Sequence, residues 1–157
     1  MKTLLLLTVL AASASAAACS DSTAPSAAVK TSDPDRLVAA DDALDDLVIT
    51  VEYKDADGDL GGGIADVYDC RAEGVRTELA IPLLAPEAVI GKPIQGTLEL
   101  HVNDVGAIPT GAVPDVCRDL GVTSVGAGAA VFCVVLADAA GHEGDGDCTR
   151  EIAVMAE

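Results

Sequence analysis

Tryptophan is absent from this chain of 157 residues, and its aromatics are Tyr53, Tyr68 and Phe132 alone. Basic side chains are scarce as well, with 9 Lys and Arg against 26 Asp and Glu, for a net charge of −17. Together these shortages exclude nucleic acid as a partner, which needs cations for its phosphates and rings for its bases. Ring-lined sugar platforms are equally out of reach, and an anionic bilayer would repel the chain. No C-x-x-C joins any of the five cysteines, Cys19, Cys70, Cys117, Cys133 and Cys148, which sets aside thioredoxin-like chemistry and a compact zinc knuckle. Past Ser32 the one serine is Ser124, in Val-Thr-Ser-Val-Gly rather than G-x-S-x-G. His101 falls on the wet side of a strand beside Glu99 and His142 at a loop tip, so both read as surface histidines rather than triad members. Gly58 to Gly63 is no phosphate cradle, since no Lys-Ser/Thr follows it.

What is present begins with an export signal: Lys2, the apolar run Leu4 to Ala12, then small residues through Ala18. The run is too short to span a bilayer, which takes about 20 apolar residues. Ala16-Ala17-Ala18-Cys19 resembles the bacterial lipobox, with Ala16 where that motif prefers Leu. The resemblance implies removal of residues 1–18, a lipid on Cys19 and, with Ser20 next, an outer-membrane or cell-surface address. Ordinary cleavage after Ala16 or Ala18 is the alternative. Cysteine arithmetic bears on the choice, because five is odd and a lipidated Cys19 leaves four for two disulfides.

Residues 19–44 are rich in Ser, Thr, Ala, Pro and Asp without sustained apolar periodicity, which predicts a flexible acidic linker. A short strand or helical turn is allowed at Arg36 to Ala40. The folded domain is then expected over 45–157. Leu47, Ile49, Val51 and Tyr53 alternate with polar or smaller neighbours, and Leu98, Leu100 and Val102 do the same. Val131 to Ala137 is continuously apolar, as in a strand covered on both faces, and Thr149 to Met155 alternates again. Weaker strands are expected at Ile64 to Cys70 and Arg76 to Ile81. Gly and Pro punctuate the gaps, so the prediction is an all-β antiparallel sandwich. Pro114, Asp115 and Gly121 mark one short helix within Val113 to Gly121, expected to cross between the sheets.

Two loops carry a further resemblance. Asp55-Ala56-Asp57-Gly58-Asp59-Leu60-Gly61 and Asp138-Ala139-Ala140-Gly141-His142 resemble turns of bacterial immunoglobulin-like and fibronectin-III-like surface modules, with His142 where the second pattern has Asn. The Trp and tyrosine corner of antibody domains are missing, so the resemblance concerns architecture. It implies an immunoglobulin-like sandwich whose second and third strands are Leu47 to Tyr53 and Ile64 to Cys70, and whose last two are Val131 to Ala137 and the C-terminal strand. Both acidic loops would then emerge at one pole.

Asp55, Asp57 and Asp59 stand at positions 1, 3 and 5 of an EF-hand-type loop, with Asp66 at position 12. Leu60 occupies the place of the invariant Gly, and the flanks read as strands rather than helices. Two readings follow: a weak loop-built Ca²⁺ site of about 0.1–1 mM, helped by Asp145 or Asp147, or a Gly/Asp turn whose carboxylates cap amides. No other cofactor is indicated. For the cysteines, a hairpin with Cys148 opposite Ala137 would leave Cys133 roughly 13 Å away. That register argues against Cys133–Cys148, and hence against Cys70–Cys117.

The expectation is therefore a non-catalytic, lipid-anchored envelope module for adhesion or display, meeting an envelope or extracellular protein through its acidic loops. The alternatives are an accessory or inhibitory module that docks an envelope enzyme, and a small metal-dependent hydrolase.

Overall fold

A computed structural model of the chain describes residues 24–39, 45–84, 91–105 and 111–156. The expected signal peptide, Cys19 and residues 20–23 and 40–44 of the expected linker lie outside the described residues. The elements are β1 (Ser26–Asp33), β2 (Arg36–Ala39), β3 (Leu47–Asp55), β4 (Ile64–Asp69), β5 (Arg76–Ala80), β6 (Ile94–Val102), α1 (Asp115–Asp119), β7 (Ala129–Ala130), β8 (Phe132–Ala137), β9 (Asp147–Cys148) and β10 (Ile152–Ala156). Among the described residues the fold is all-β with one short helix, as the period-two pattern predicts.

Alternation does in β3 and β6 what the pleat requires. Leu47, Ile49, Val51 and Tyr53 turn inward, as do Leu98, Leu100 and Val102. Antiparallel register sets Ile49 opposite Leu100 and Val51 opposite Leu98, so apolar side chains meet across the strands. Strand β1 flanks β3 on its other side, completing a sheet ordered β1-β3-β6. A second sheet, β5-β4-β8-β9, supplies Ala65, Val67, Phe132, Val134 and Leu136 to the same core. A third, β2-β10-β7, adds Leu37 and Ile152, with β2 running parallel to β10.

Continuous burial of β8 has a separate cause on each face. Phe132, Val134 and Leu136 enter the core between the sheets, while Cys133 belongs to a smaller cluster with Cys70, Cys117 and Val131. Val116, Leu120, Val122 and Val125 from α1 and the segment after it pack on that cluster. The helix therefore covers the outer face of the second sheet instead of crossing between sheets. Pro114 precedes it and Gly121, at φ +93°, follows it, where a left-handed residue ends a helix.

Three sequence expectations are corrected. The linker reading of 19–44 fails over 24–39, because β1 and β2 belong to the domain: Ala27 to Asp33 pair along β3, and Leu37 is fully buried. Ala27 and Val29 pack only partly against the core, so β1 is held chiefly by its backbone ladder, which composition does not report. The C-terminal strand expected from Thr149 starts only at Ile152, as β10, and the preceding β9 (Asp147–Cys148) lies in a different sheet. The disulfides are Cys70–Cys117 and Cys133–Cys148, with Cα separations of 5.8 and 4.0 Å. The expected register was at fault: Ala137 bridges Glu143, whereas Cys133 lies directly opposite Cys148.

Candidate functional site

Parity along β3 carries inward facing two residues beyond Tyr53, to Asp55, which is 2% exposed. A buried carboxylate needs donors, and the chain after it supplies them. The backbone N–H of Leu60 donates to Asp55 Oδ2 at 2.8 Å and that of Asp57 to Oδ1 at 3.4 Å. The turn is feasible because Gly58, at φ +78°, takes the left-handed conformation. Leu60 then plugs the loop into the core, fully buried. It is thus an anchor, and the EF-hand geometry that needs Gly at its position is replaced by a turn pivoting on Gly58.

This wrapping gathers acid. Oxygens of Asp55, Asp57 and Asp59 all lie within 4.8 Å of one another. Asp57 Oδ1 and Asp59 Oδ1 are buried and make no hydrogen bond among the described residues. Burial raises the Asp55 pKa above 3.8, and the adjoining Asp57 carboxylate adds to the effect against the amides that lower it.

The loop between β8 and β9 meets this loop at the same end of the sandwich, as the resemblance implies. Ala139 N–H donates to the Asp59 carbonyl at 3.1 Å. Gly63 allows the close approach, since a Cβ there would stand 2.1 Å from the Ala137 carbonyl oxygen. Asp138 closes its own turn: Oδ1 accepts from the His142 backbone N–H at 2.8 Å, and Oδ2 lies 2.9 Å from His142 Nδ1. Burial by itself would raise the Asp138 pKa, but the His142 amide and ring outweigh it and hold the carboxyl below 3.8.

The other three acids expected at the site do not join the triad. Asp66 sits within β4, where Arg76 Nη1 reaches it at 3.3 Å; the strand leading away from Gly63 separates it from the loop. Burial, opposed by Arg76, raises its pKa above 3.8. Asp145 shares with Asp55 an open cavity of about 740 Å³, but its carbonyl is engaged by Ala27 N–H at 3.0 Å. Asp147 Oδ2 accepts from Val29 N–H at 2.8 Å. These two acids tie β1 to the sandwich, a role that a linker reading of β1 hides.

Sequence reasoning also passes over Asp138 as a site residue and the buried pair Asp69–Arg71, whose side chains are 6% and 5% exposed. The signal for the pair is the D-x-R at the end of β4, which puts acid and base on one face. His101 is exposed on β6, and the His142 side chain is 53% exposed. Compared with protein-family models, with curated proteins and with solved structures, the chain matches none.

Proposed function

We propose that the domain is a non-catalytic module displayed on a bacterial envelope through a lipid on Cys19, with Ca²⁺ holding its acidic loop in shape. The observation that carries the metal reading is the pair of buried oxygens of Asp57 and Asp59, unpartnered among the described residues, beside the buried carboxylate of Asp55. Three anions so placed repel one another without a cation, and hard oxygen donors suit Ca²⁺. Asp55, Asp57 and Asp59 would hold the ion; Asp138, already engaged by His142, braces the neighbouring loop.

The immunoglobulin-like reading is supported by the strand order, β1-β3-β6 in one sheet and β5-β4-β8-β9 in the other, around a shared core. The envelope address is supported by Lys2, the apolar run and Ala16-Ala17-Ala18-Cys19. On that reading the two loops at one pole meet an envelope or extracellular protein, for adhesion or assembly.

Melting in EDTA against millimolar Ca²⁺ at matched ionic strength tests the metal. At 100 times its dissociation constant the ion should add about 2.7 kcal/mol, and replacing Asp57 and Asp59 by Asn should remove that gain. An unchanged midpoint in the parent protein refutes the site. Palmitate labelling that disappears in Cys19→Ala tests the anchor, and co-purification from intact cells identifies the partner.

A further inference from the structure

The outer face of the second sheet gathers sulfur. Cys133 lies across the ladder from Tyr68, and Cys70 follows Tyr68 by two residues, so both cysteine side chains emerge on one face. The two disulfides therefore sit side by side. Cys70 Sγ and Cys133 Sγ, each bonded to a different partner, are 3.2 Å apart, and Cys117 Sγ completes a group of three sulfurs within 4.8 Å of one another. Cys70, Cys117 and Cys133 are fully buried, whereas Cys148 is only partly so. A thiol arriving from solvent meets Cys148 first.

Thiol–disulfide exchange needs a thiolate within reach of a disulfide sulfur. Attack on Cys148 expels Cys133 as a thiolate already beside Cys70, so no buried thiol has to lose a proton. Freed from Cys148, the Cys133 side chain can turn about its Cα–Cβ bond to line up with the Cys70–Cys117 bond. Its Sγ then has about 1.2 Å to close, from 3.2 Å to a disulfide length of about 2.0 Å. The bond that this breaks is the one that ties α1 to the end of β4. Val116, Leu120, Val122 and Val125 would hold that layer by packing alone.

We propose that Cys148 is a modification site for a small thiol and the entry to a relay that unlatches α1. The incoming thiolate bonds to Cys148 Sγ; Cys133 leaves and bonds to Cys70 Sγ; Cys117 leaves as a thiolate and takes a proton from water. Two S–S bonds break and two form, so the relay involves no net oxidation or reduction. The test is disulfide mapping of the full chain carrying Cys19→Ser, which removes the fifth thiol, after exposure to limiting 2-mercaptoethanol under native conditions and an acidic N-ethylmaleimide quench. Mercaptoethanol should be found on Cys148 and maleimide on Cys117, with loss of Cys70–Cys117 and gain of Cys70–Cys133. In the same sample the amides of Leu120 and Val122, which donate to Val116 and Cys117, should lose protection from hydrogen exchange while those of Val67 and Val134 keep it. Adding Cys148→Ser leaves Cys133 unbridged from the start, so the Cys70–Cys133 bridge should form without any added thiol; if that variant does not fold, the thiol-treated chain decides alone. Retention of Cys70–Cys117 with maleimide on Cys133, or a Cys70–Cys133 bridge that forms only in urea, would each overturn the proposal.

Discussion

Asp55 and Asp138, both buried at one pole, have pKa values shifted in opposite directions: burial raises both, and the amide and ring of His142 outweigh it at Asp138. Asp138 has its charge satisfied by His142, and its pKa falls below 3.8. It therefore contributes stability that is present above pH 3.8 and is lost as pH drops through its folded-state pKa. Asp138→Ala, which leaves the His142 amide without its acceptor, should cost about 1–3 kcal/mol by denaturant unfolding at pH 7. Asp55 has a raised pKa, so it favours folding fully below pH 3.8, and the benefit is lost as pH climbs through the raised value. In EDTA at pH 7, Asp55→Asn should accordingly melt above the parent, since the amide oxygen still accepts from Leu60. The gap should close as pH is lowered toward 3.8. A variant that melts below the parent at pH 7 would mean that the charge of Asp55 is already compensated within the loop.

Among the elements, β1, β2 and α1 separate what patterning reports from what it misses. Strands β3 and β6 are legible because each has one wet and one dry face. Strand β1 has no fully buried side chain, and its contribution is seven residue pairs along β3, a stabilisation that leaves no mark on side-chain composition. Leu37→Ala distinguishes strand from linker: with Leu37 fully buried, the loss should be about 2–5 kcal/mol, against none for a solvated tether. The layer formed by α1 hangs on Cys70–Cys117, whose sequence separation is 47, against 15 for Cys133–Cys148. Chain entropy then assigns about 4 kcal/mol to the first bridge and about 3 to the second. Replacing each pair by Ala and measuring unfolding should give that order, and peptide mapping without reduction should recover these pairings and no other.

At the scale of the whole molecule, negative charge prevails, and it is unevenly placed. Of the 26 acidic residues, 12 lie between Asp33 and Asp69, and the structure gives several of them separate duties. Asp55, Asp57 and Asp59 form the triad, Asp66 pairs with Arg76, and Asp69 pairs with Arg71. The remaining excess repels itself. Raising NaCl from about 0.01 to 0.15 M shortens the screening length from about 30 to 8 Å and should raise the melting midpoint even in EDTA. The Ca²⁺ gain should persist on top of it at fixed ionic strength. If NaCl alone reproduces the whole calcium effect, the ion acts by screening and the loop holds no site.

Period-two alternation, Gly and Pro punctuation and the scarcity of aromatics determined, from the sequence by itself, the all-β class, the strand positions in the middle of the chain and a core of Val, Leu, Ile and Ala. These properties are local, and each strand states its wet and dry faces in its own residues. Only the tertiary structure decided which acids meet. Asp55, Asp57 and Asp59 converge because Leu60 and Gly58 fold the loop back on a buried carboxylate, while Asp66 and Asp147 leave with the strands that carry them and Asp145 is held on an isolated bridge to Ser26. It likewise decided the disulfides, because a hairpin register depends on how tightly Asp138 and His142 close the turn. The surroundings of the buried Asp69–Arg71 pair were decided there too, since Arg71 also donates to the Val105 carbonyl and lies over the Phe132 ring, both distant in sequence. Contacts between residues distant in sequence depend on the relative placement of whole strands, and no single segment encodes that placement.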